Sequence, residues 1–126
     1  MNEKSTSQED YLEAIYRLSL QQQMVRSTDV ARMMGVKTPS VFLALQELIK
    51  KALVTKIHYG TISLTEMGVK MAKEIFKKHE VIRLFLSKVL KVSAATADKD
   101  ACRIEHHLSE ETTTKLFAFM ERNIHD

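Results

Sequence analysis

Between Ser27 and Thr65 the sequence is punctuated in a way that few folds satisfy. A short stretch with Val30, Ala31 and Met34 apolar begins at Ser27, a small polar cap, and stops at Gly35, which suits the left-handed end of a helix. Thr38-Pro39-Ser40 then opens a second helix: a polar cap followed by proline in the first turn, where its missing N–H costs nothing. The inner face of that helix is Val41, Leu45, Leu48 and Ile49, and it runs to about Lys51. Two β-like runs follow, Leu53–His58 and Thr61–Thr65, and Tyr59-Gly60 between them is a hairpin signal. Ahead of all this, Tyr11, Leu12, Ile15, Tyr16 and Leu18 predict an amphipathic helix over about Gln8–Gln22. Its expected cap is Ser5 or Ser7, with Glu9 and Asp10 where the helix dipole favours them. Helix, short helix, tight turn, helix and two-stranded hairpin is the order of a winged helix-turn-helix.

After Glu66 the pattern is helical throughout. Val69, Ala72, Ile75, Phe76, Val81, Ile82, Phe85 and Val89 mark a long helix to about Leu90. Ser93 caps a further helix to about Leu108, and Ser109-Glu110-Glu111-Thr112 opens a last one ending near Arg122. The expected fold is therefore mainly α: a winged helix-turn-helix over residues 1–65, then a helical domain over residues 66–126. Composition agrees, with 3 Gly, 1 Pro and no Trp in 126 residues. No apolar run reaches the ~18 residues of a membrane span, and the first ten residues lack the apolar core of a secretory signal. A single cysteine excludes an intramolecular disulfide framework and points to the reducing cytoplasm. Net charge is +3, which permits a nucleic-acid partner without demanding one.

A winged helix places the amino end of the Thr38 helix against a duplex. Lys37 is a candidate for phosphate, and Thr38, Pro39 and Ser40 form a helix start whose hydroxyls and amides suit an anion. Arg26, Arg32, Lys50, Lys51 and Lys56 are further phosphate candidates, and His58 and Tyr59 stand at the hairpin tip. Gln46 can pair with adenine. Phe42 and Leu43 either meet thymine methyls from the outward face or turn inward as core. A winged helix that binds protein instead of DNA is the competing reading, and salt-dependent DNA affinity separates the two.

The second half carries the metal-ligand chemistry. Cys102, Glu105 and His106 are three and four residues apart, so on one helix a thiolate, a carboxylate and an imidazole share a face. Asp10 and Glu13 share a face of the first helix, and His79 lies midway along the long one. His107 points about 100° from His106 and is set aside as a ligand. Enzyme readings fail on the residues. His79-Glu80 begins like a two-histidine zinc helix, but Arg83 stands where the second histidine belongs. A Cys102–His106 hydrolase lacks an oxyanion loop and an orienting partner. No small organic substrate is expected.

These motifs together resemble the iron- and manganese-dependent repressors of the diphtheria toxin repressor and manganese transport regulator family. The resemblance rests on Glu9 to Tyr16, the Thr38-Pro39-Ser40-Val41 helix start, Leu64 to Gly68, Lys78-His79-Glu80-Val81 and Asp100 to Ser109. It implies a DNA-binding domain, then a helical metal-binding and dimerisation domain, without the Src-homology-like third domain of longer members. It also implies metal ligation by Asp10, Glu13, His79, Cys102, Glu105 and His106, and a homodimer on double-stranded operator DNA. Three departures qualify it: Cys102 stands where manganese-type members have Glu, Arg83 and Asp98 occupy places of an ancillary iron-type site, and Phe42 and Leu43 replace polar residues. Cys102 favours iron(II) as the co-repressor, while Asp10 and Glu13 keep manganese(II) close behind. Cobalt, nickel and zinc are expected to substitute in vitro. Val89, Leu90, Phe117 and Phe119 are the expected dimer contacts. A winged helix answering to a non-metal signal would instead bind DNA regardless of chelator.

Overall fold

The computed structural model describes residues 8–55 and 57–123. The expected caps Ser5 and Ser7 and the phosphate candidate Lys56 lie outside them. The chain forms two compact units, Met1–Lys73 and Glu74–Asp126.

In the first unit, α1 (Gln8–Gln21), α2 (Ser27–Met34) and α3 (Thr38–Lys50) pack against one another. Tyr11, Leu12, Ile15 and Leu18 of α1 meet Val30 and Ala31 of α2 and Val41, Leu45 and Leu48 of α3 in a buried core. The helix starts are shifted one residue from expectation. Arg26, not Ser27, is the cap residue of α2, because Asp29 Oδ2 accepts the Arg26 backbone N–H at 2.9 Å. Lys37, not Thr38, precedes the first turn of α3. Gly35 ends α2 with φ +67°, the left-handed geometry that its sequence position called for.

The wing is a hairpin whose arms meet at Val54–Leu64 and His58–Thr61. Tyr59 and Gly60 both have positive φ, 53° and 77°, which defines the type I′ turn that matches strand twist. One element was not expected: β1 (Val25–Arg26) pairs antiparallel with β2 (Thr61–Ile62), Val25 opposite Ile62. A guanidinium bond from Arg26 Nη1 to the Tyr59 carbonyl (3.0 Å) ties the same segment to the hairpin tip.

Thr65 starts α4 (Glu66–Leu84), its Oγ1 accepting the Gly68 N–H at 2.9 Å while its hydroxyl donates to the Ala52 carbonyl. The chain packs so tightly here that a β-carbon on Gly68 would stand 2.1 Å from the Leu53 carbonyl oxygen. A backbone atom cannot swing aside. Gly68→Ala is therefore expected to destabilise the protein by about 1–3 kcal/mol, whereas an unobstructed helical glycine gains about 0.5–1 kcal/mol from that change. Thermal unfolding decides between them, and a raised midpoint would contradict the packing.

In the second unit, α4 runs on through a π turn, Phe85–Val89, and α5 (Ala94–Ile104) and α6 (Glu110–Asn123) follow. Ser93 and Ser109 cap their helices as expected, accepting the N–H groups of Thr96 and Thr112. The α5 helix stops at Ile104 and not near Leu108. The His107 N–H turns back to the Ile104 carbonyl, three residues away, so the chain tightens out of the helix. Phe119 of α6 meets Phe85 edge-on at 6.1 Å, and Lys77 lies over the Phe117 ring. Val89 and Leu90 are exposed.

Candidate metal centre and nucleic-acid interface

Along α4, Ile75, His79 and Ile82 form one buried stripe, so an imidazole occupies a position that its neighbours fill with isoleucine. On α5 the small residues Ala97 and Ala101 are fully buried, and Asp98 and Cys102 follow each of them by one residue. Glu105 lies in the turn directly after the helix, where the chain is still α-like at φ −58°, ψ −27°.

These residues converge on His79. Its Nδ1 lies 3.0 Å from Glu105 Oε1 and its Nε2 lies 2.8 Å from Asp98 Oδ1. Cys102 Sγ is 3.8 Å from Nδ1, and Glu105 Oε2 is 3.2 Å from His106 Nε2. Lys78 Nζ donates to the Glu105 backbone carbonyl at 3.0 Å and so fixes the turn that carries the carboxylate. His79 and Glu105 are fully buried. With a carboxylate at each ring nitrogen, the imidazole must donate from both, which only the protonated ring can do. Burial alone would strip that proton, but the bonds to Cys102, Glu105 and Asp98 prevail and hold His79 at about 10, up from 6.5.

The donor chemistry fits a divalent transition metal. Thiol, imidazole and carboxylates surround one buried position, and the proton on His79 is the positive charge that now balances them. Asp98, which the resemblance places at an ancillary site and not among the six expected ligands, precedes Cys102 by one helical turn and so joins it beside His79. Arg83 forms a two-point ion pair with Glu80 (2.7 and 3.3 Å). His107 is exposed.

The first unit holds the other two expected ligands. Asp10 lies in the first turn of α1, half-buried, and Glu13 is buried on the same helix with Arg17 Nη2 at 3.2 Å.

Along α3, Val41, Ala44, Leu45 and Leu48 face the core. Lys37, Thr38, Pro39, Ser40, Phe42, Leu43 and Gln46 are all exposed. Phe42 and Leu43, for which the sequence allowed two orientations, point outward and are 54% and 65% exposed. Arg26 is exposed as well, but its guanidinium is spent on the wing carbonyl. Tyr59 projects from the wing tip at 94% exposure. Among the described residues, no helix is long and apolar enough to cross a membrane.

Comparison with known proteins agrees with this layout. Residues 3–62 match the family described as iron dependent repressor, N-terminal DNA binding domain, and residues 65–126 match iron dependent repressor, metal binding and dimerisation domain. The chain is 36% identical over 119 residues to an uncharacterised HTH-type transcriptional regulator of Methanocaldococcus jannaschii, covering 94% of this chain and 95% of that one. It is 34% identical to the transcriptional regulator MntR of Salmonella typhimurium over 91% of this chain and 73% of the relative. Among solved structures, T. acidophilum IdeR superposes with a TM-score of 0.81 at 30% identity over 94% of this chain. The manganese regulator SloR gives 0.81 at 29% identity over 93%. The chain spans 54% of the length of each of those two solved chains. A winged helix-turn-helix followed by a helical unit in which a thiol and carboxylates gather around a buried imidazole thus belongs to the iron-dependent repressor family, the metal-responsive DNA-binding regulators of transcription.

Proposed function

We propose that this chain acts in the cytoplasm as a homodimeric repressor, not an enzyme, whose co-repressor is iron(II), with manganese(II) as the nearest competitor. The cluster of Asp98, Cys102 and Glu105 around the buried His79 carries this reading. The ligand set is Asp10, Glu13, His79, Cys102, Glu105 and His106, with Asp98 holding the second nitrogen of His79. A bound divalent ion supplies the positive charge that the thiolate and carboxylates require once His79 has released its proton.

The chain's own residues turn that occupancy into a DNA response. Asp10 and Glu13 belong to the Met1–Lys73 unit, and the other four ligands to Glu74–Asp126. An ion held by residues of both units would restrict the DNA-binding unit relative to the dimerising one. In a twofold dimer the two α3 helices must lie about 34–36 Å apart to read a palindrome. A 100-fold gain in operator affinity needs only about 2.7 kcal/mol of coupling, and operator DNA must tighten metal binding by the same factor.

Cys102 decides between the metals. The MntR and SloR relatives are similar to this chain, and SloR is described as a manganese regulator. A thiolate suits iron(II) better than manganese(II), which favours oxygen and nitrogen. Cys102→Glu is expected to move the iron-to-manganese preference toward manganese by about tenfold, or about 1.4 kcal/mol, in anaerobic metal titrations. An unchanged ratio would contradict the assignment of iron through the sulfur.

A further inference from the structure

We propose that Phe42 and Leu43 read the methyl groups of thymines in the operator's major groove. This rests on the repressor reading above and names what the recognition helix selects. Both side chains are large, apolar and exposed on α3, at 54% and 65%, while Val41, Ala44, Leu45 and Leu48 already satisfy the core. They lie on the exposed side of the second helix of the helix-turn-helix, within residues 3–62 that match the family's DNA-binding domain.

Charge favours DNA as the occupant. The first turn of α3 holds no acidic residue, Lys37 precedes it, and Thr38, Pro39 and Ser40 are exposed beside the patch. The only carboxylate on the helix, Glu47, is paired with Lys50 at 3.4 Å. Neither a phenyl nor an isobutyl group can donate or accept a hydrogen bond, so neither can read the polar edges of the bases. The only apolar group that base pairs present in the major groove is the C5-methyl of thymine. Adjacent residues on a helix point about 100° apart, so Phe42 and Leu43 reach different methyls. The half-site they select carries at least two thymines.

Replacing thymine by uracil deletes this methyl and nothing else. A duplex is first selected from a random-sequence pool by the full chain with manganese(II), and each thymine is then exchanged singly for uracil. Uracil at one or two positions per half-site is expected to weaken binding about fourfold per methyl. Phe42→Ala is expected to abolish the penalty at one position and Leu43→Ala at another. Both residues are exposed, so the variants should fold normally, which circular dichroism checks. If the selected duplex binds in a metal-dependent way but no uracil exchange matters, the inference is overturned and the repressor reading stands. A uracil penalty that persists unchanged in both variants also overturns it and assigns the patch to another partner. Failure to select any metal-dependent duplex overturns the reading and this inference together.

Discussion

Glu105→Ala is expected to abolish the metal-dependent part of operator binding, a loss of about 100-fold or 2.7 kcal/mol. Glu105 is the hub of the cluster: one carboxylate oxygen lies 3.0 Å from His79 Nδ1 and the other 3.2 Å from His106 Nε2. Removing it takes away one proposed ligand and the group that orients two more. Truncation also leaves the buried His79 short of a partner, so part of any loss could come from unfolding. Glu105→Gln separates the effects, since it keeps the shape and removes the charge. Both variants should lose the difference between metal and chelator, and Glu105→Gln, whose amide oxygen can still accept from His79, should do so with a smaller fall in thermal midpoint than Glu105→Ala. Retained chelator sensitivity in Glu105→Ala would remove Glu105 from the ligand set.

The second large effect is on pH. His79 holds its proton up to about 10, against 6.5 in an unfolded chain. In the metal-free protein the favourable contacts of the imidazolium are therefore fully present below 6.5 and are lost as pH rises through about 10. Metal loading runs the other way, because the ring nitrogen that binds must first surrender its proton. Affinity should climb about tenfold per pH unit for one displaced proton, or about 100-fold between pH 6 and pH 8. Calorimetric titration with manganese(II) in buffers of different ionisation enthalpy counts the protons released. At least one per ion is expected near neutrality. A flat affinity with no proton release would mean that His79 is not displaced from its carboxylate partners.

The parts of this structure that were legible in the sequence are those fixed by local chemistry. Gly35 and the Tyr59-Gly60 pair sit where backbone sterics demand positive φ, and both adopt it. Apolar spacing gives three of the four expected inner positions of α3, Val41, Leu45 and Leu48, whereas Ile49 is half-buried and Ala44 takes the remaining core position. What escaped is what distant contacts decide. Val25–Arg26 is two residues long and becomes a strand only because Thr61–Ile62 comes to lie beside it. The end of α5 depends on tertiary contact too: Lys78, from another helix, takes the Glu105 carbonyl. Asp98 was legible only as the occupant of an ancillary-site place where the resemblance wants histidine, and its bond to His79 Nε2 follows from the packing of α5 against α4. Cys102, Glu105 and His106 were legible from their spacing of three and four, whereas His79, alone midway along the long helix, shows its place only once it is buried between Ile75 and Ile82.

The most direct test of the account is an anaerobic operator-binding titration of the full chain with iron(II) and with manganese(II), each followed by excess chelator. Tight binding is predicted only with metal, at lower free concentrations of iron(II) than of manganese(II), and it should disappear when chelator is added. Equal operator affinity with metal and with chelator would contradict the claim that a shared ion couples the ligand cluster to the DNA-binding unit.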